Sequence, residues 1–338
     1  MRRRFKNNAM NDFNKLFKDF SKIKVAVIGD VMLDTYWWGK VERISPEAPV
    51  PVVALHHKEQ RIGGAGNVAL NTVSLGAETT LFSVTGDDDD ADILIGLLQQ
   101  QHIDTKYIVK SNERITTNKI RIMGRNQQMM RLDSEVTNYI SAEDEATLIT
   151  SFTSFVKRYQ PSVVIFEDYN KGVLTETLIE KIISICKQHD IVTTVDPKRK
   201  NFFSYKSVDI FKPNLKEVKE GLNLITDGID EQLLKNIHTE LHNILQHKIS
   251  LITLSEKGVY IQKGNYAKII PTHMRNIADV SGAGDTVIAV ASLVYAATKD
   301  ITLAANIANV AGGQVCEEVG TVAVDKEKLQ EECKLLLK

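Results

Sequence analysis

Asp279-Val-Ser-Gly-Ala-Gly-Asp-Thr286 places two glycines and a carboxylate just before an apolar run, Val287 to Ala297. A Gly-Ala-Gly turn that opens a helix directs several unpaired backbone N–H groups at one point, and the helix dipole adds partial positive charge there. Anions, phosphate above all, are received at such an end. Asp285 would stand beside that anion, where a carboxylate can take a proton from an attacking hydroxyl. An anion cradle with a base beside it is suited to phosphoryl transfer to an alcohol. A Gly-rich turn with an aspartate cap is the plainer reading, and the octapeptide alone leaves both open.

Other segments carry side chains that fit the same chemistry, each with a plainer alternative. In Gly63-Gly-Ala-Gly-Asn-Val-Ala-Leu-Asn71, Gly63 and Gly64 let a substrate approach the backbone, and Asn67 offers amide groups to sugar hydroxyls. The spacing does not match a dinucleotide fingerprint and no strand directly precedes it, so tight helix–sheet packing is the competing reading. Asp30 and Asp34, in Gly29-Asp-Val-Met-Leu-Asp34, could accept hydrogen bonds from vicinal hydroxyls, or serve as a turn residue and a solvated acid. Asn214 and Glu217 stand three apart at a helix start, where their oxygens suit magnesium and its waters, or a capping arrangement. Lys198, in Asp196-Pro-Lys198, could supply a cation to phosphate or remain solvated. The run Asp87 to Asp90 reads as a solvated loop and helix start, and His56-His57, on alternate faces of a strand with no third ligand nearby, as structural.

The elements that must position these residues alternate. Phe13, Leu16, Phe17 and Phe20 recur at helical spacing, and Lys24 to Gly29 is a compact apolar run typical of a buried strand. A helix over Asn67 to Leu75 and a strand over Leu81 to Thr85 follow. Ser141 opens a helix with a capping signature. Strands at Val163–Phe166, Ile191–Val195, Val208–Phe211 and Ser250–Leu254 then alternate with helices over Thr175–Gln188 and Glu231–Gln246. Two apolar helices around Val287 and Ala304 and a short C-terminal helix complete the chain. Such alternation predicts a largely parallel sheet covered by helices, with ligands at the C-terminal strand ends, where Asp30, Asp168, Asp196, Asn214 and Ser255 all fall. Tyr36 to Val53, with three prolines and two tryptophans, and Ile115 to Asp133 break the rhythm and suit a small β-layer or lid.

Composition narrows the class. The 338 residues can bury a substantial core, and 42 basic against 43 acidic residues give a net charge of −1, so no global field points to nucleic acid or an anionic membrane. Cys186, Cys316 and Cys333 are widely spaced and form no ligand pattern, which argues for a reducing compartment and against structural zinc. The basic start, Met1 to Lys6, lacks a following apolar stretch and reads as a frayed tail rather than a secretory signal, and no apolar run approaches a membrane span. A cytoplasmic enzyme is the expectation.

Gly63 to Asn71 resembles the first signature of the PfkB, or ribokinase-like, family of carbohydrate kinases. Asp279 to Thr286 resembles the second, with Val-Ser where Thr-Thr is more usual, and the likeness runs from about residue 23 to 326. It implies an α/β fold of three α/β/α layers with a mostly parallel central sheet and a small β lid. Residues 1–22 would form a tail and short helix, and residues 23–338 the kinase domain, with lid segments at about 35–62 and 106–133. Asp285 would be the base, with the Gly282, Ala283 and Gly284 amides as the anion hole. Asp30, Asp34, Gly63, Gly64, Asn67 and Lys171 would hold the sugar, and Arg131 a phosphate on it. Asn214 and Glu217 would organise Mg–ATP, the metal through water. Lys198, Ser255, Gly258 and Asn309 would border the nucleotide. Family members often use potassium near the anion hole and pair as homodimers through the lid.

Within the family, Gly29 to Asp34, Arg43-Ile-Ser-Pro-Glu-Ala-Pro-Val-Pro-Val52, Arg131 to Asp133, Asp168 to Gly172, Asp196 to Lys198 and Leu254 to Gly258 resemble one branch. That branch phosphorylates D-glycero-β-D-manno-heptose 7-phosphate at the anomeric hydroxyl. Such kinases are often fused to a nucleotidyltransferase with a His-x-Gly-His motif. No such motif occurs here, so the resemblance implies kinase activity alone.

Overall fold

Apolar spacing sets the first element. The computed structural model describes residues 12–124, 127–225 and 228–337, and the basic stretch read as a frayed tail lies outside them. Helix α1 (Phe13–Asp19) starts at Asp12, whose side chain accepts the Lys15 N–H, and it buries Phe13 and Phe17, with Phe20 buried just beyond. Each phenylalanine taken out of water contributes about 1.5–3 kcal/mol, enough to dock so short a helix.

The remaining elements follow in chain order. First come β1 (Lys24–Gly29), β2 (Val31–Ile44), β3 (Pro51–Gly64), α2 (Ala65–Ser74), β4 (Glu78–Gly86), α3 (Asp89–Gln100), β5 (Asp104–Ser111), β6 (Asn118–Gly124) and β7 (Gln127–Ser134). Next are α4 (Ala142–Tyr159), β8 (Val163–Glu167), α5 (Glu176–Gln188), β9 (Val192–Asp196), β10 (Ile210–Phe211), α6 (Leu215–Gly221) and α7 (Glu231–Leu245). Strands β11 (Ile249–Thr253), β12 (Val259–Lys263) and β13 (Tyr266–Ile270) precede α8 (Ala283–Thr298), α9 (Ile301–Val315) and α10 (Lys326–Leu336).

The main sheet runs β13-β12-β11-β10-β9-β8-β1-β4-β5 and is parallel except for β12 and β13. Successive side chains of a strand point to opposite faces, and both faces are filled. Val25 and Val27 of β1 join one core with Val163 and Ile165 of β8, under α8 and α9. Ala26, Ile28, Val164 and Phe166 join the other, under α4, α5 and α7. Helix layers on both faces make the three-layer α/β/α arrangement expected from the alternation.

Strands β2, β3, β6 and β7 form a separate sheet in the order β3-β2-β6-β7. Its second part begins at Asn118, later than the boundary of 106 expected from sequence. The reason is β5, which pairs in parallel with β4 at the edge of the main sheet, where Tyr107 stacks on buried Phe82 at 4.7 Å. The acidic run also does more than meet solvent. Asp88 caps α3 and accepts the Thr116 N–H, and Asp90 accepts from the Asn118 side chain, tying the root of the lid to the main body.

A histidine cluster gives the fold a pH dependence. His247 is fully buried between α7 and β11 and shares Ser250 Oγ with His238, while His242 Nδ1 meets the His247 carbonyl at 2.8 Å. Burial pushes His247 down to about 3 and His238 to about 4. The native state therefore keeps both rings neutral, whereas the unfolded chain protonates them near the ordinary pKa of about 6.5. Their stabilisation is complete above that value and declines as pH falls toward the native pKa values. The urea midpoint is expected to drop from pH 6.5 to 4.5, with His247 contributing about 1.4 kcal/mol per pH unit, and His247→Phe should flatten the decline. A midpoint that stays constant over this range would contradict the assignment.

Candidate active site

Two glycine clusters meet at the N-terminus of α8. Gly282 caps that helix in the left-handed region, φ 77°, and a Cβ there would lie 2.9 Å from Asn67 Nδ2, so glycine serves both the turn and the close approach. Asn67 lies in the first turn of α2 and donates to Asp285 Oδ2 at 2.8 Å, and one helical turn on, Thr286 Oγ1 donates to Asn71 Oδ1. Tyr169, in the loop after β8, donates its hydroxyl to Asp285 Oδ1 at 2.7 Å. Asp285 is 4% exposed, and burial pushes its carboxyl up to about 6 against the two hydrogen bonds that favour the charged form. A carboxylate held in place, near neutral pKa, beside a helix start is an arrangement suited to accepting a proton from a bound hydroxyl; of the three turn amides, Ala283 N–H already donates to the Val280 carbonyl at 3.3 Å.

Charged residues at the strand ends form the floor of the site. Asp196, last in β9, receives Lys212 Nζ at 2.7 Å and Lys198 Nζ at 3.4 Å, and Lys198 also meets Glu217 Oε1 at 2.6 Å. Burial pushes Asp196 up, but the two lysines outweigh it and hold its carboxyl below the usual range. Glu167, last in β8, is fully buried, and neither of its carboxylate oxygens has a hydrogen-bond partner among the described residues. Burial, then the neighbouring Asp196 and Asp285, push it well above the ordinary range.

The lid adjoins the segment after α9, where Arg61 donates to the Val319 carbonyl and Thr321 Oγ1 to Asp34 Oδ2. Asp34 on β2 accepts from Arg121 at 2.6 Å, and a Cβ on Gly63 would lie 2.5 Å from its Oδ2, so that glycine makes room for the carboxylate. Register places Arg61, Asp34, Lys119 and Asp133 in one row across the lid, with Glu59, Tyr36, Arg121 and Arg131 in the adjoining row on the same face. Arg61 and Arg121 both lie over the Tyr36 ring.

Residues 22–328 match the pfkB family carbohydrate kinase description. The chain belongs to that family. The bifunctional protein HldE of Aliarcobacter butzleri is 39% identical over 312 residues, covering 92% of this chain and 64% of that one. The HldE of Methylobacillus flagellatus is 39% identical over 308 residues, with 91% and 62% covered. The chain thus spans less than two thirds of the length of these relatives. Among solved structures, Escherichia coli phosphofructokinase-2 in complex with potassium superposes with a TM-score of 0.79 at 16% identity, over 94% of this chain and 100% of the other. Arabidopsis thaliana ribokinase complexed with ribose and ATP gives 0.70 at 15% identity, over 91% and 99%. These neighbours show the ribokinase-like fold.

With the pfkB fold in hand, each residue chosen from sequence has a place. Asp285, Gly282, Ala283, Gly284 and Asn67 lie together at the start of α8, Gly63 adjoins Asp34 on the lid, and Gly64, with φ +60°, packs against the Asp30 carbonyl. The Asp30 carboxylate receives the Tyr169, Lys171 and Val173 N–H groups at 2.8 to 3.0 Å and so shapes the 169–173 loop. Asp168 plays a matching part, accepting from the Asn170 N–H, Asn201 and Tyr205. Lys171 pairs with Glu135 at 2.8 Å, across from Lys119. Arg131 is half-exposed and forked onto Asp133, apart from the buried floor.

Asn214 and Glu217 form a capping box at α6, the Asn214 side chain taking the Glu217 N–H and Glu217 Oε2 the Asn214 N–H, so the capping alternative is realised. Glu217 also answers Lys198 through Oε1 at 2.6 Å. Ser255 and Gly258 flank a short turn after β11, where Gly258 has φ +97° and its Cβ would strike the Ile270 carbonyl. Asn309 on α9 donates to the Pro271 carbonyl at 2.7 Å, so these three residues share one wall. Sequence reasoning missed Glu167, Tyr169 as a partner of Asp285, and Lys212. Lys212 is 2% exposed, and a lysine directly before Pro-Asn at a strand end was the only signal for it.

Proposed function

We propose that this pfkB kinase transfers the γ-phosphoryl group of ATP to the anomeric hydroxyl of D-glycero-β-D-manno-heptose 7-phosphate, giving the 1,7-bisphosphate. The observation that carries the reaction is Asp285, buried at the start of α8 and oriented by Asn67 and Tyr169. Asp285 takes the proton of the anomeric hydroxyl as that oxygen attacks the γ-phosphorus, and the bond to the ADP oxygen breaks. The Gly282 and Gly284 amides receive the equatorial oxygens, and Lys198 and Lys212 add positive charge from the floor. Bound magnesium would supply further charge neutralisation on the phosphates, with Asn214 and Glu217 meeting it through water. Potassium near the anion hole is part of the same reading, supported by the potassium complex of the phosphofructokinase-2 neighbour. Ser255, Gly258 and Asn309 would border the adenine nucleotide.

The acceptor assignment rests on the segments that resemble the heptose branch, above all Arg43 to Val52. The lid supports a phosphorylated acceptor, since Lys119, Arg121 and Arg131 adjoin on the face that carries Asp34. Lys119 and Arg121 are 14% and 16% exposed, against 50% for Arg131, which makes them the better-desolvated partners for a phosphate. The opposite lid face carries Trp37, Ile122, Met130 and Leu132, with Met130 and Leu132 exposed, which supports pairing of two copies through the lid.

A panel of heptose 7-phosphate, fructose 1-phosphate, ribose and a nucleoside, each assayed with Mg–ATP, tests the acceptor. The heptose phosphate is expected to have the highest kcat/KM. If another sugar is turned over and the heptose phosphate is not, the acceptor assignment fails. Lys119→Gln should raise KM for the phosphorylated acceptor by about 10-fold, the scale of one charge-assisted hydrogen bond, with little effect on unphosphorylated heptose. Equal effects on both would remove Lys119 from the phosphate site.

A further inference from the structure

Two buried aspartates, Asp30 and Asp168, hold one short loop in shape. Asp30 accepts the Tyr169, Lys171 and Val173 N–H groups, and Asp168 accepts that of Asn170. Asn170 takes the left-handed region at φ 55° and Gly172 at φ 92°, where a Cβ would strike the Asn138 carbonyl. Left-handed backbone of this kind persists where its surroundings over-determine it. The loop therefore fixes the main chain of Tyr169 and leaves its side chain to move. That side chain meets the base: its hydroxyl donates to Asp285 Oδ1 at 2.7 Å, while Asn67 occupies Oδ2 at 2.8 Å. Asp285 is 4% exposed, so another oxygen reaches its carboxylate only when one of these partners leaves. Asn67 is fully buried in α2, and its own Oδ1 accepts from Asn71. Tyr169 is only half-buried. It is the partner that can leave.

We propose that Tyr169 is a positioning residue that guards Asp285: its hydroxyl keeps the acceptor's place on the base until the acceptor hydroxyl displaces it, and so denies that place to water. A general base holds the hydroxyl it deprotonates at about 2.6–3.2 Å, and the Tyr169 oxygen fills such a position. Transfer to water is the side reaction that a phosphoryl-transfer site must suppress. In it the water oxygen attacks the γ-phosphorus of ATP, its proton passes to Asp285, and the bond to the ADP oxygen breaks. The products are ADP and inorganic phosphate, with no sugar phosphate. A sugar held by its other groups brings binding energy to displace the tyrosine, and water brings none. The inference rests on the reading of Asp285 as base and not on which sugar is the acceptor.

Release of inorganic phosphate from Mg–ATP, with no sugar present, is the test. Tyr169→Phe keeps the ring and removes the hydroxyl, and it should hydrolyse ATP at least ~10-fold faster than wild type, a part of what a general base supplies. A damaged fold lowers hydrolysis, so it cannot produce this rise. Tyr169→Leu also lacks the hydroxyl and should behave alike, which covers a first variant that folds poorly. Adding Asp285→Asn to Tyr169→Phe should return hydrolysis to the wild-type level. With sugar present, Tyr169→Phe should lower the acceptor KM about 10-fold, because no hydrogen bond to a charged group has to be broken first, and should change kcat less. Hydrolysis that stays at the wild-type level in both folded variants, a rise that survives Asp285→Asn, or an acceptor KM that increases would each overturn the guarding role. Failure of the base reading shows separately, as an Asp285→Asn protein that still phosphorylates its sugar at the wild-type rate.

Discussion

Asp285→Asn is expected to lower turnover at least ~10²-fold while ATP-analogue affinity stays within a few-fold, because the change removes the proton acceptor and keeps the shape. The Asn67 amide can still donate to the new carbonyl oxygen, and the Tyr169 hydroxyl can turn to accept from the new amide, so both partners of Asp285 remain satisfied. The fold should not suffer. Burial raises the Asp285 carboxyl to about 6, so the native state favours the protonated form more than the unfolded chain does. That preference stabilises the protein below the unfolded pKa and is lost as pH rises through 6. At neutral pH the native state then holds a buried charge that the unfolded chain carries more easily. Replacing it with a neutral amide removes a cost of order a few kcal/mol, and the melting temperature should hold or rise. Undiminished turnover in a folded variant would remove Asp285 as the base.

Gly284→Ala is expected to separate activity from stability. A Cβ at Gly284 meets Asp196 Oδ2 and Lys212 Nζ at 3.6 Å, ordinary contact distances, so nothing in the protein need move. Gly284 lies in the first turn of α8, where alanine gains up to about 1 kcal/mol of helix propensity. The same methyl group projects toward Lys212, into the space a transferring phosphoryl group would use. Displacing that group by ~1 Å costs on the order of 10²-fold in rate. Turnover should therefore fall steeply while the melting temperature holds or rises. Gly282→Ala makes the contrast, since its left-handed backbone and the 2.9 Å approach to Asn67 put strain into the fold itself. If Gly284→Ala keeps full activity, the amides of this turn do not face the transferring group.

Much of this was legible along the chain because glycines and acids at strand ends mark a ligand site before any contact is known. Asp196, one of the strand-end residues, does meet Lys198 and Lys212, and Asn67 does meet Asp285 across 218 residues. What stayed hidden depends on neighbours brought together only by the sheet. Asp30 and Asp34 look alike in sequence, but Asp30, between β1 and β2, meets the 169–173 backbone, whereas Asp34, within β2, meets Arg121 of the lid. Glu167 ends an apolar run and reads as its last residue, and only the parallel pairing of β8 with β9 sets it opposite Asp196. The family resemblance put residues 106–133, and with them most of β5, in the lid. The pairing of β5 with β4 and the stacking of Tyr107 on Phe82 decide otherwise. Asn214 and Glu217 carry a spacing that serves a capping box and a metal equally, and local hydrogen bonding settled the first use.

The central claim is transfer from ATP to the anomeric oxygen of a phosphorylated heptose, and the product reports it most directly. Protein incubated with Mg–ATP and D-glycero-β-D-manno-heptose 7-phosphate should yield a new phosphorus resonance whose coupling leads to the anomeric proton, formed in step with ADP. A new phosphate coupled to any other sugar position, or ADP released with no phosphorylated sugar, would contradict the account.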